Sequence, residues 1–131
     1  MTRRAYFDSS ALVKLVVREE ESAALRAFIR RRTGSSSCAL ASVEVIRAVR
    51  QHGPAATGRA RQVVERFDLV RIDDSLLDAA ALLPVERLRS LDAIHLAAAQ
   101  RLGRDLSVLV SYDDRMLAWA KELGIPVTSP R

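Results

Sequence analysis

The chain has 131 residues, 49% of them hydrophobic and 28% charged, which is the balance of one globular domain over residues 1–131 and excludes disorder, collagen and coiled coil. Its single cysteine, Cys38, cannot form an internal disulfide, and no Cys/His cluster offers a zinc site. The formal net charge of +5 suits a polyanion such as nucleic acid. Only Lys14 and Lys121 are lysines, however, and an arginine-heavy composition also follows from genome base content alone.

A reducing, cytoplasmic setting is expected. Met1 to Asp8 reaches an acid before any apolar stretch develops, so it does not read as a signal peptide. Leu12 to Val17 is broken by Lys14 and is too short to span a bilayer, so no membrane association is expected.

Arg4 to Phe7 reads as a short strand that ends in the helix-start signal Asp8-Ser9-Ser10. Ala11 to Arg18 and Ser22 to Arg32 read as helices with apolar stripes. Thr33-Gly34-Ser35 breaks the pattern, and Ser36 to Leu40 is a second strand. Ser42 is expected to cap a helix through Gln51, in which Val43, Ile46 and Val49 follow helical spacing. Gly53-Pro54 ends it, and a helix over about 55–67 leads to the strand Leu69 to Ile72. Asp73 and Asp74 cap a helix from Leu76 to Leu83.

Pro84 to Arg89 connects to the strongest helix signal, Leu91 to Leu102, opened by Ser90 and closed by Gly103. Leu106 to Val110, nearly all leucine and β-branched, reads as a buried parallel strand. A helix from Asp113 to Leu123 and an edge strand from Ile125 to Thr128 complete the chain. This alternation predicts an α/β fold, a three-layer α/β/α sandwich with a mostly parallel sheet of four to five strands.

In such folds ligands gather beyond the carboxyl ends of the strands. Asp8 and Asp113 follow strands there, while Glu44 and Asp92 lie in the first turns of their helices. Ser42-Val43-Glu44, Ser90-Leu91-Asp92 and Ser111-Tyr112-Asp113 share one form, an acid two residues after a serine. Each alone reads as a cap, with the acid favouring the positive end of the helix dipole. Four carboxylates at one edge would instead repel unless a cation sat among them. Carboxylates with retained water are the ligand set of Mg²⁺ or Mn²⁺, and such a site can activate water for attack on a phosphodiester.

The chain resembles the PIN-domain ribonucleases, and within them the VapC-type toxins of type II toxin–antitoxin pairs. The resemblance is carried by Tyr6-Phe7-Asp8-Ser9-Ser10-Ala11-Leu12-Val13-Lys14, by Ser42-Val43-Glu44, by the run Leu91 to Ala99, and by Ser111-Tyr112-Asp113 with Leu123 to Val127 behind it. It implies that Asp8, Glu44, Asp92 and Asp113 bind Mg²⁺, or Mn²⁺, and cleave RNA with water as nucleophile, leaving 5′-phosphate and 3′-hydroxyl ends. It further implies an antitoxin partner seated in a groove of the first helices, and a homodimer. Ser9 and Ser111 stand where the family has hydroxyls that orient ligands or water, and Asp114 competes with Asp113 for the fourth position.

Several residues have plainer readings. His95, three residues after Asp92, has a spacing that could serve a metal or a general base, but its apolar neighbours favour a packed, hydrogen-bonded histidine. Trp119 and Met116 fit a core-facing stripe, and Cys38 a small buried hydrophobe. Leu12 to Val17 with Leu25 and Phe28 exceed one helix face. Helix-on-sheet packing explains at least half of them, and full burial of Leu15 and Phe28 would remove the main support for a groove.

A receiver domain would need a lysine after a late strand, and both lysines fall in predicted helices. Asp8-Ser9-Ser10 lacks the Asp-x-Asp of haloacid-dehalogenase-like phosphatases, and neither a clustered glycine loop nor a nucleophile elbow is present. The remaining alternative is a catalytically inert RNA- or partner-binding module on the same fold.

Overall fold

The computed structural model describes residues 3–32 and 34–131. Met1, Thr2 and Thr33, the last of which opens the predicted break, lie outside them. Among the described residues the chain forms β1 (Arg4–Phe7), α1 (Ser9–Val16), α2 (Ser22–Arg30), β2 (Ser35–Cys38), α3 (Ala41–Val49), α4 (Pro54–Glu65) and β3 (Asp68–Val70). These are followed by α5 (Asp74–Ala81), α6 (Ser90–Arg101), β4 (Leu106–Val110), α7 (Asp114–Glu122) and β5 (Val127–Thr128). Every adjacent strand pair is parallel, in the order β3-β2-β1-β4-β5. The predicted sandwich is therefore present, with all five strands parallel. Among the described residues no helix is long and apolar enough to cross a membrane.

Alternation along β1 divides the core. Ala5 and Phe7 enter one apolar cluster with Leu12, Leu25, Val45 and Val64, from α1 to α4. Tyr6 points to the opposite face and meets Leu76, Leu96, Leu109 and Met116, from α5, α6, β4 and α7. Two buried faces on one sheet make the three layers. Cys38 is fully buried, and Met116 and Trp119 pack into the second cluster, as their spacing predicts.

The chain leaves β1 for β2 on one side and later returns as β4 on the other, so the sheet order switches between β1 and β4. Tyr6 pairs with Leu109 and Phe7 with Val110 across that junction. Asp8 follows Phe7 directly, and Ser111 follows Val110, so both emerge at the carboxyl edge where such sheets bind ligands.

The helix starts differ from expectation in an instructive way. Asp8 caps α1 and Asp73 caps α5 through their side chains, as predicted. Ser42, Ser90 and Ser111 cap nothing. Ser42 lies inside α3, whose cap position is Leu40, and Ser90 is the first residue of α6 after Arg89. At α7 the cap is Asp113 itself, which accepts from the backbone N–H of Arg115 and Met116. Most remaining boundaries move by one to three residues, because the terminal turn of a helix is the least determined part of its pattern.

Candidate active site

The four acids arrive from separate elements. Asp8 follows β1, Glu44 sits in the first turn of α3, Asp92 in the first turn of α6, and Asp113 at the cap of α7. They fall into two linked pairs.

The first pair is joined through Ser111. Its Oγ donates to Asp8 Oδ2 at 2.5 Å and accepts from the backbone N–H of Asp113 at 3.0 Å. Ser10 donates to Asp8 Oδ1 at 2.6 Å and accepts from the N–H of Tyr112 at 3.0 Å, and the N–H of Ala11 reaches Oδ1 at 3.2 Å. Asp8 is 3% exposed. Burial pushes its carboxyl up, against the opposing hydrogen bonds from Ser10, Ser111 and the Ala11 N–H. Among the described residues no lysine or arginine pairs with it.

The second pair is Glu44 and Asp92, which line one cavity of about 350 Å³ with Arg89, Ser90 and Leu91. Ser9 Oγ donates to Glu44 Oε1 at 2.6 Å, and His95 Nε2 lies 2.7 Å from the same oxygen. Burial would raise the Glu44 carboxyl, but the hydrogen bonds from His95 and Ser9 outweigh it and hold it below the usual range. Arg89 Nε meets Asp92 Oδ2 at 2.9 Å.

All four candidate acids thus sit at the carboxyl edge. Among the described residues, however, no three His, Cys, Asp or Glu side chains stand close enough together to cage a metal. The donor set still fits a hydrated divalent ion. Mg²⁺ dehydrates reluctantly and is usually held by one or two carboxylates, with waters filling the rest. A buried carboxylate whose partners are two hydroxyls and a backbone N–H also lacks the positive charge that buried carboxylates require.

Two residues of the site were not singled out for it by sequence. Ser10 bonds Asp8 and Tyr112 from the second position of the helix, where hydroxyls usually only cap. His95 is 3% exposed and hydrogen-bonded, as expected, but one of its partners is a candidate acid. Its spacing from Asp92 was the available signal, yet it pointed to the wrong acid. Asp73 is confined to its cap and an exposed pair with Arg101. Asp68 opens β3 and bonds Arg4.

The PIN domain family model matches residues 5–122, which include all four acids. The chain belongs to the PIN domain family. A relative from Mycobacterium tuberculosis, Ribonuclease VapC46, is 54% identical to this PIN domain over 126 residues, covering 95% of this chain and 96% of the relative. Among solved structures, the M. tuberculosis VapC20 toxin, described as cleaving the sarcin–ricin loop, superposes with a TM-score of 0.77 at 12% identity, covering 96% of this chain and 99% of that one. A toxin–antitoxin complex from Klebsiella pneumoniae gives 0.72 at 24% identity, with 97% and 98% covered. At those identities the two structures speak for the PIN fold of this chain.

Proposed function

We propose that this PIN domain, spanning residues 1–131, is a divalent-metal-dependent endoribonuclease and the toxin of a toxin–antitoxin pair. The observation that carries the reading is Asp8, a carboxylate 3% exposed at the point where the sheet order switches, with no lysine or arginine to balance it among the described residues. The ribonuclease name of its 54% identical relative points the same way.

In this reading Asp8, Glu44, Asp92 and Asp113 hold Mg²⁺ or Mn²⁺ through carboxylate oxygens and retained water. When bound, the ion supplies positive charge to the scissile phosphate and a more acidic water. Ser10 and Ser111 keep both oxygens of Asp8 fixed, and Ser111 ties the Asp113 backbone to the same point. The net charge of +5 favours association with the RNA polyanion as a whole. Asp113, half-buried and fixed at its cap, is favoured over the exposed Asp114 as the fourth acid.

The antitoxin is expected against the first helices. Neither Leu15 nor Phe28 is fully buried. A cavity of about 270 Å³ opens there, lined among others by Leu15, Ile29 and Phe67 and by Arg26, Arg30 and Arg66, which suits an apolar segment carrying acidic side chains. Ser35, the first residue of β2, also lines this cavity, which places it at the amino edge of the sheet, away from Asp8. We also infer a homodimer, supported by the exposed apolar side chains Val43, Leu77, Leu82 and Leu91. Its mass in solution tests that part.

The test of the activity is cleavage of an end-labelled structured RNA with Mg²⁺, with Mn²⁺ and with EDTA, beside identically prepared Asp8→Asn protein. Cutting that needs metal, stops in the variant and leaves 5′-phosphate ends supports the nuclease. Equal cutting by both proteins exposes a contaminant. Absence of both cutting and metal binding would favour an inert binding module, the reading suited to a site without a ready three-residue cage.

A further inference from the structure

We propose that His95 is a positioning residue for Glu44, and that the buried chain Tyr6–His95–Glu44 presents one chosen carboxylate oxygen to the ion site. The proposal rests on the nuclease reading above for its purpose, but its geometry stands without it.

Tyr6 lies in the middle of the sheet, fully buried, with its ring edge-on to the His95 ring at 6.0 Å. Its hydroxyl is 2.8 Å from His95 Nδ1, and His95 Nε2 is 2.7 Å from Glu44 Oε1. An ionised carboxylate can only accept, so Nε2 must carry the hydrogen. In a singly protonated ring Nδ1 then has a lone pair, and the tyrosine O–H donates into it. Burial raises Tyr6 well above the usual phenol range, followed by the nearby Cys38 and Asp8, so that hydroxyl keeps its proton as the pattern requires. Each hydrogen bond has one donor and one acceptor, and they all run towards Glu44.

The consequence is directional. His95 and Ser9 both donate to Oε1, and neither uses Oε2. Two donors on one oxygen fix the side-chain rotamer and leave the other oxygen for the cavity shared with Asp92. His95 itself is 3% exposed with both nitrogens engaged, so it is not placed to ligate an ion or to take a proton from substrate water. Glu44, an acceptor only, thereby sets the ring tautomer, and the Tyr6 hydroxyl, able to donate or accept, holds the ring in place from the Nδ1 side, as outer partners of metal sites do. Nothing in the core demands this arrangement, since phenylalanine and leucine would fill the same volume without polar atoms to satisfy.

The experiment has two parts. A long-range ¹H–¹⁵N spectrum of metal-free protein reads the ring directly, and a protonated Nε2 with an unprotonated Nδ1 is expected. Mn²⁺ binding is then compared by titration in wild type, His95→Ala, His95→Gln and Tyr6→Phe, each checked for native circular dichroism. His95→Ala should weaken Mn²⁺ by about tenfold or more. His95→Gln, whose amide N–H₂ reaches the Nε2 position, should recover most of the loss, and Tyr6→Phe should show a smaller loss. In cleavage, kcat should fall in His95→Ala with KM little changed.

The opposite tautomer, or His95→Ala and Tyr6→Phe proteins that bind Mn²⁺ as wild type does, would overturn the proposal. Should His95→Ala not fold, His95→Gln and Tyr6→Phe decide it alone. Wild-type protein that binds no Mn²⁺ would instead sink the nuclease reading, leaving the ring spectrum to judge the geometry.

Discussion

Ser111 and Asp8, 103 residues apart in the chain, share a hydrogen bond of 2.5 Å across the junction of β1 and β4. Ser111 also takes the Asp113 N–H, so one hydroxyl sets the register of two candidate ligands. Ser111→Ala should therefore act twice. Stability should fall by about 1–3 kcal/mol, since a buried acceptor and a backbone donor lose their partner. Cleavage should fall further than stability explains, by about tenfold to a hundredfold. Thermal unfolding in EDTA and metal-dependent cleavage separate the two effects.

Asp8→Asn should raise the melting temperature of metal-free protein at neutral pH by a few degrees, about 3 °C, while abolishing activity. The sign follows from burial, which raises the Asp8 carboxyl in the folded state above its unfolded value of 3.8. The folded state then binds the proton more tightly, so stability is lost as pH rises from the unfolded value through the raised one. The advantage of Asn should accordingly be small in acid, grow across that window and level off above it. Melting curves in EDTA across that range check this, and an advantage that shrinks with rising pH would refute it.

Asp113 and Asp114 are adjacent but differently placed. Asp113 caps α7 and is half-buried, whereas Asp114 is exposed. Asn caps about as well as Asp. Asp113→Asn should thus keep its melting temperature within about 2 °C but lose tenfold or more in cleavage. Asp114→Asn should stay near wild type in both.

Arg89 and Asp92 form a pair whose arginine side chain is 55% exposed. Such a pair contributes under about 1 kcal/mol to stability. Arg89→Ala should leave melting nearly unchanged yet tighten Mn²⁺ binding by roughly threefold at low salt, because a competing cation beside Asp92 is removed. The gain should fade as salt screens that charge. Titration at two ionic strengths reads it.

Much of this was legible in the sequence because local signals and global fold agree. Arg4–Phe7 and Leu106–Val110 stand in the structure with the bounds their composition predicts, and Asp8 caps α1. All four acids reach the carboxyl edge because each follows a parallel strand or opens a helix there. The capping expected of Ser42, Ser90 and Ser111 is absent for a physical reason. A serine before an acid at a helix start has a local use as a cap, and sequence offers no view of a partner a hundred residues away. Ser111 spends its hydroxyl on Asp8 instead, while Ser9, for which the resemblance implies an orienting hydroxyl, bonds Glu44. His95 is packed and hydrogen-bonded as its apolar neighbours predict, but the identity of its partner was out of local reach, since Glu44 lies on another helix, 51 residues earlier.

The central claim is that the four acids converge on one hydrated cation. Anomalous diffraction from Mn²⁺-soaked crystals addresses it most directly. The account predicts a peak at the carboxyl edge beside Asp8, with at least one further acid of the four at roughly 2.1–2.3 Å and water completing the shell. A peak away from Asp8, or none at a saturating concentration, would contradict it.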